Sequence, residues 1–230
     1  MISIIIPIHN QADKIESCLK SILNQSFKDW ELIVVDDGSE DNIKEIIQNN
    51  INLFPKDRFL FFSKQNEGSN PTRNFGFDKS KGDYVIFCDA DIIMKENMLE
   101  KMIKTLEENP QASFVFSSFM YGKKLFRLFP YDRERLRTMP YIHTTSLIRR
   151  SDFPGFDPKT KRLQDWDLWL TLLEKNKTGV WIDEVLFLAQ LGGGHFSSWL
   201  PSFAYKLLPW LASVKKYKAA VNAIKIKHNL

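Results

Sequence analysis

The chain has 230 residues, 43% of them hydrophobic and 18 of them phenylalanine, which argues for one well-packed globular core with at most a short appendage. Two cysteines exclude a disulfide framework and fit a reducing compartment; no stretch reaches the ~18 apolar residues of a spanning helix, and Met1-Ile2-Ser3 lacks the basic region of a signal peptide. The formal charge of +4 is unevenly placed: six lysines and no acid lie between Phe196 and Leu230, leaving the remainder slightly acidic, so the end of the chain reads as a surface for an anionic membrane or partner and not for nucleic acid.

In chain order, Ile2 to Ile8 is a short apolar run closed by Pro7 and Asn10, the first strand of a buried sheet. Ala12 to Leu23 places Ile15, Cys18, Leu19 and Ile22 at helical spacing. Glu31 to Val35 is a second buried strand ending in Asp36-Asp37-Gly38-Ser39, with Ser39 as the expected cap of a helix to about Asn49. A third strand, Arg58 to Ser63, leads through the polar loop Lys64 to Pro71 into a helix from about Thr72 to Ser80. Val85 to Cys88 is unbroken and strand-forming, and it ends in Asp89-Ala90-Asp91. This alternation predicts an α/β fold with a mostly parallel central sheet and helices on both faces.

After Pro110 the pattern changes. Ser113 to Tyr121 reads as a strand, Gly122 to Lys124 as a turn, and Leu125 to Phe129 as an antiparallel return. Basic residues crowd Arg133 to Arg137, Thr144 to Ile148 forms another short strand, and Asp152 to Pro158 is irregular. A helix follows over Gln164 to Lys175, with Trp166, Trp169, Leu170 and Leu173 as its apolar stripe, then a strand over Val180 to Leu188 and the run Gly192-Gly193-Gly194-His195. The expected division is a domain over 1–198 and a basic amphipathic helical tail over 199–230. Trp199, Leu200, Phe203, Leu207 and Trp210 among its lysines fit either an interfacial helix on anionic lipid or a helix packed on the domain.

The acidic clusters carry the chemistry. Asp36-Asp37 and Asp89/Asp91 both end strands of one βα architecture and should converge at the carboxyl edge of the sheet, where such folds bind ligands. A carboxylate at the first place can accept from a base imide or ribose hydroxyls. Asp91 and Asp89, as hard oxygen ligands, suit Mn²⁺ or Mg²⁺ carrying a substrate diphosphate. A third pair, Asp165 and Asp167, opens the tryptophan-rich helix, where the positive end of the helix dipole favours an ionised carboxylate.

Pro7-Ile8-His9-Asn10, the stretch Glu31 to Ser39, Asn66-Glu67-Gly68 with Arg73-Asn74, Asp89-Ala90-Asp91, and Gly155-Phe156-Asp157 leading to Gln164-Asp165-Trp166-Asp167 occur in the order seen in glycosyltransferase family 2. The chain resembles that family from residue 2 to about 198. The resemblance implies the GT-A fold, a nucleotide-diphosphate sugar donor (UDP first among the nucleotides), a divalent metal and inversion at the sugar. It places Pro7, Asp37, Arg73, Asp89 and Ala90 on the nucleotide sugar, Asp91 and His195 on the metal, and Asp165 as catalytic base. His143 and Trp166 fall on the acceptor side, and Asp167 faces solvent or supports the loop. Gln164 stands where many members have Glu, and His9 replaces a common tyrosine.

By the same resemblance the acceptor is a glycan or lipid-linked saccharide of a cell-surface polysaccharide, made by a cytoplasmic enzyme peripheral to the inner face of the membrane. Two other readings are weaker. A phosphatase of the haloacid dehalogenase type would open the fold with its Asp-x-Asp, which here lies on the fourth strand. A non-catalytic nucleotide-sugar-binding paralogue would have lost Asp165 or Asp91, and both are present.

Overall fold

The computed structural model describes residues 1–192 and 210–230. Nine strands form one sheet: β1 (Ile2–Ile8), β2 (Trp30–Asp37), β3 (Phe59–Lys64), β4 (Tyr84–Phe87), β5 (Ile92–Met94), β6 (Phe114–Tyr121), β7 (Lys124–Phe126), β8 (Leu147–Arg149) and β9 (Gly179–Ala189). Their order is β3-β2-β1-β4-β8-β6-β9-β5, with β7 added to β6. β3, β2, β1 and β4 run parallel, whereas β8 joins β4 and β6 antiparallel. Every residue of β1 and β2 is buried, which explains why both read as unbroken apolar runs.

The helices described are α1 (Ala12–Leu23), α2 (Ile43–Ile51), α3 (Ser69–Lys79), α4 (Met98–Glu108), α5 (Arg133–Thr138), α6 (Gln164–Glu174) and α7 (Ala212–Lys227). Local chemistry explains three departures from the expected boundaries. α2 starts at Ile43, not after Ser39, because Ser39 is held in the preceding turn: its N–H donates to Asp36 at 2.8 Å and its hydroxyl accepts from the Asn10 N–H at 3.0 Å. α3 starts three residues early and takes Pro71 into its first turn, where a missing N–H costs no helical bond. The basic crowd at Arg133 is a short helix capped by Asp132, which accepts from the Arg135 N–H at 2.9 Å.

α3 lies across β1 and β2, and Gly76 is the point of closest approach. A Cβ there would stand 2.5 Å from Ile5 Cγ2 and 3.3 Å from Val35 Cγ2. Gly76→Ala is therefore expected to destabilise by about 1–3 kcal/mol despite the better helix propensity of alanine. Chemical denaturation checks this; an unchanged midpoint would show that α3 can step back from the sheet.

α6 buries both of its tryptophans completely, with the indole N–H of Trp166 donating to Leu136 O at 2.6 Å and that of Trp169 to Ile142 O at 2.8 Å. Trp166 is thus a core residue, which corrects its expected place beside an acceptor: its ring has no face left to offer one.

The tail packs on the domain through α7. Val214, Tyr217, Val221, Ile224 and His228 form a stripe at three- and four-residue spacing that is buried or half-buried. At its end Lys227 bonds Asp157 at 2.6 Å and Asp167 at 2.7 Å, and His228 lies 2.8 Å from Asp167 and 2.7 Å from Glu174. Among the described residues no helix is long and apolar enough to cross a membrane.

Candidate functional site

Chain order reverses between β1 and β4, and the two strands part beyond Ile5, the last β1 residue paired with β4. β1 continues along β2 through Pro7 and Ile8, and Cys88 leads β4 away into Asp89-Ala90-Asp91. Pro7 has no N–H to leave unpaired where the strands diverge, which fits a proline to this otherwise internal strand. The crevice so opened is the place at which open α/β sheets take ligands.

Asp37 closes β2 and organises one wall. It accepts from the Glu67 N–H at 3.0 Å, the Gly68 N–H at 2.8 Å and the Lys64 ammonium at 2.9 Å. Burial alone would raise its pKa, but these bonds and one from Thr72 outweigh it and hold the carboxyl below the usual range. Asp37 therefore spends its acceptors on the 64–68 loop. Gly38 makes the turn with φ +73°, and a Cβ there would meet Asn66 N at 2.9 Å, so only glycine fits. The same Asn66 reaches His9, 3.1 Å from its Nε2.

Arg73, buried on α3, ties the second wall together. Its guanidinium donates to Asp89 at 2.8 Å and to Gln164 at 3.0 Å, and it lies over the Phe156 ring at 5.2 Å. Its buried Nε has no hydrogen-bond partner among the described residues. Ala90 is fully buried, so its methyl belongs to the core and cannot meet a nucleotide sugar; this corrects its expected role. Its contribution is spacing, one inward residue between two partly exposed aspartates.

Burial, and then the neighbouring Asp89, push the Asp91 pKa up to about 6, against an opposing pull from Lys14. Two close carboxylates, one of them paired on its inner side with Arg73, are a donor set for a hard divalent ion, which commonly takes one or two carboxylates plus substrate phosphates and water. Among the described residues no group of three or more His, Cys, Asp or Glu side chains is set to hold a metal alone. The expected ligand His195 lies outside the described residues, as do Trp199 to Leu208 of the tail.

Lys14 was not singled out by sequence reasoning. It is buried on α1, donates to Leu191 O at 3.2 Å and is the cation acting on Asp91. The available signal was its spacing, four residues before Cys18 on the buried face of α1.

Asp165 stands at the second position of α6. The residue before the helix, Leu163, is left-handed at φ +56°, a conformation that costs a non-glycine residue roughly 1–2 kcal/mol and persists here with the side chain packed on the core. One Asp165 oxygen accepts the Trp166 N–H at 2.8 Å; among the described residues the other has no hydrogen-bond partner. Burial raises its pKa, opposed by the Trp166 bond and by Arg73. Burial thus outweighs the helix dipole that the sequence favoured, giving a stronger base than an exposed aspartate.

His143 is half-buried between Phe119 and Phe187, each 5.2 Å away, and its Nδ1 accepts the Thr145 N–H at 3.0 Å. Burial lowers its pKa to about 4, so the ring is neutral and carries its proton on Nε2. Asp167 does not face solvent. It is buried and accepts from His228, Lys227 and, at 3.1 Å, Thr160, so it supports both the loop and α7.

That junction has a pH signature. Burial opposes the charge on His228, but Asp167 and Glu174 raise its pKa above 6.5; Asp167 is itself held below 3.8 by His228 and Lys227 against the cost of its burial. Docking of α7 is fully supported between those ordinary values. It weakens as pH rises through the raised histidine value, or falls through the lowered aspartate value. Hydrogen exchange of α7 amides, corrected for intrinsic rates, should show less protection at pH 9 than at pH 6. His228→Gln should remove the difference; equal protection in the wild type would contradict the assignment.

Residues 3–164 match the family described as glycosyl transferase family 2. A putative teichuronic acid biosynthesis glycosyltransferase, TuaG of Bacillus subtilis, is 30% identical over 86% of this chain and 82% of its own length. The chain spans about a third of the length of the uncharacterized Rickettsia glycosyltransferases it also matches, at 31% identity for that of Rickettsia conorii. Staphylococcus aureus TarS in complex with UDP-GlcNAc superposes with a TM-score of 0.71 at 19% identity, covering 93% of this chain and 66% of that one. The mannosyltransferase PcManGT of Pyrobaculum calidifontis, in complex with GDP-Man and Mn²⁺, gives 0.70 at 16% identity over 96% and 74%. With residues 3–164 inside the family match and the switch-point sheet shared with these glycosyltransferases, the chain belongs to glycosyltransferase family 2 and has the GT-A fold.

Proposed function

We propose that the protein transfers a sugar, with inversion, from a nucleotide-diphosphate sugar to a hydroxyl of a glycan or lipid-linked acceptor during assembly of a cell-envelope polysaccharide. A UDP-sugar is the first donor to test. The observation that carries this reading is the linkage of Asp165 to the Asp-Ala-Asp turn: Gln164, its neighbour, and Asp89 share the Arg73 guanidinium. A base with an unengaged oxygen and two carboxylates suited to a diphosphate-bound cation are thereby held in one crevice.

In this reading Asp165 takes the proton of the acceptor hydroxyl as that oxygen attacks the sugar C1 from the face opposite the diphosphate. Asp91 and Asp89, with His195 as a further ligand, would hold Mn²⁺ or Mg²⁺, which would supply Lewis-acid neutralisation of the leaving diphosphate. Pro7 and the loop fixed by Asp37 receive the nucleoside end, and Arg73 holds Asp89 in place through their 2.8 Å ion pair. The Nε2–H of neutral His143 donates to a hydroxyl on the acceptor side. The exposed Trp210, Lys215 and Lys218 meet the anionic inner face of a membrane, to which the protein attaches peripherally.

The test is hydrolysis of a panel of UDP-, GDP- and dTDP-sugars with Mn²⁺ or Mg²⁺ and then with chelator. One donor turned over slowly and only with metal supports the reading and names the donor. Silence across the panel, together with no metal-dependent nucleotide binding, would overturn it.

A further inference from the structure

Beside the seam on which α7 docks, an open groove of about 550 Å³ runs between that helix and residues 157–162. Ala219, Ala220 and Ala223 lie along it on one face of α7 and give it an apolar floor. Its rim is cationic: Lys159, Lys161 and Arg162 come from the loop, and Lys216 and Lys227 from the helix. Asp157, the one acid in the lining, is taken by Lys227 at 2.6 Å. Among the described residues no ion pair holds Lys159, Lys161 or Lys216. In a chain whose charges otherwise balance, this is a concentrated field of one sign along low-dielectric walls.

The groove adjoins the start of α6. Its loop runs through the left-handed Leu163 directly into Gln164-Asp165, and two of its lining residues, Thr160 and Lys227, bond Asp167. An apolar floor under a cationic rim selects an anionic amphiphile, with phosphate at the lysines and an aliphatic chain on the alanines. The groove is a recess between helix and loop, whereas a bilayer would be met by the exposed flank of α7 that carries Lys215 and Lys218.

We propose that this groove is the acceptor's phosphate subsite, holding the phosphate or diphosphate ester through which a saccharide acceptor is joined to a long-chain alcohol, with the saccharide directed toward Asp165. The assignment rests on the transferase reading above and adds where, and by what chemistry, the acceptor is held.

The test uses the full chain, with farnesyl diphosphate as a monomeric probe and inorganic pyrophosphate and farnesol as its two halves. Chelator is present throughout, so that the metal-dependent Asp91 site contributes nothing. Farnesyl diphosphate should bind at least about tenfold more tightly than either half, and Lys159→Glu/Lys216→Glu should weaken it by about tenfold or more. Ala223→Trp, which fills the floor, should weaken farnesyl diphosphate and spare pyrophosphate. Three results would overturn the proposal: unchanged binding in the double variant, pyrophosphate binding as well as farnesyl diphosphate, or binding only to phosphatidylglycerol vesicles. Metal-dependent UDP binding, measured separately on the same proteins, should not change in the double variant. Its absence from the wild type would sink the transferase reading while leaving the groove measurement readable.

Discussion

Asp165→Asn should lower sugar transfer by about 10²–10⁴, the usual worth of a general base, with metal-dependent UDP binding unchanged. The amide keeps the hydrogen bond to the Trp166 N–H, so the first turn of α6 stays formed. It cannot take a proton. Because burial raises the Asp165 pKa, the acid limb of the wild-type pH profile for kcat/KM should lie above the ordinary aspartate value of 3.8, activity falling as pH drops through it. The stability sign runs the other way. A carboxyl whose folded pKa is raised binds more protons folded than unfolded, so ionised Asp165 destabilises the fold at neutral pH and asparagine relieves that. A variant that loses activity while its denaturation midpoint holds or rises has lost chemistry. One that loses UDP binding as well would place Asp165 in the donor site instead.

Asp91→Ala should abolish metal-stimulated donor turnover, by about 10²-fold or more, and should make the residual rate insensitive to chelator. The Arg73–Asp89 pair survives the substitution, as does the fold around the fully buried Ala90. Since Asp91 is pushed up to about 6 by burial and by Asp89, its removal also relieves a repulsion, and the midpoint should not fall. Turnover that stays metal-dependent in this variant would move the cation site away from the Asp-Ala-Asp turn.

Much of the candidate site was legible because its residues sit at strand ends. Asp37, Asp89 and Asp91 each follow a run whose burial on two faces is written as unbroken apolar sequence, and a parallel βα order brings such ends to one edge. What stayed hidden depends on contacts between distant segments. Ala90 and Trp166 carried the pattern of site neighbours, yet their side chains point into the core, a direction that spacing along one element does not give. Asp167 was expected to face solvent or to support the loop, and the bond from Thr160 shows the second. Its partners Lys227 and His228 are some sixty residues away, on a helix whose docking no local pattern announces. The helix at Arg133 was masked by its charge, since its cap, Asp132, is a single residue. Lys14 shows the converse: its helical spacing put a cation on a buried face, and only the position of Asp91 beside it gives that a meaning.

The measurement that tests the account most directly is the anomeric configuration of the first sugar released, followed by proton NMR before mutarotation, from whichever α-linked donor the wild type turns over with metal. Attack by an oxygen activated at Asp165, from the face opposite the diphosphate, predicts the β anomer first. The α anomer appearing first would contradict single displacement and, with it, the role given to Asp165.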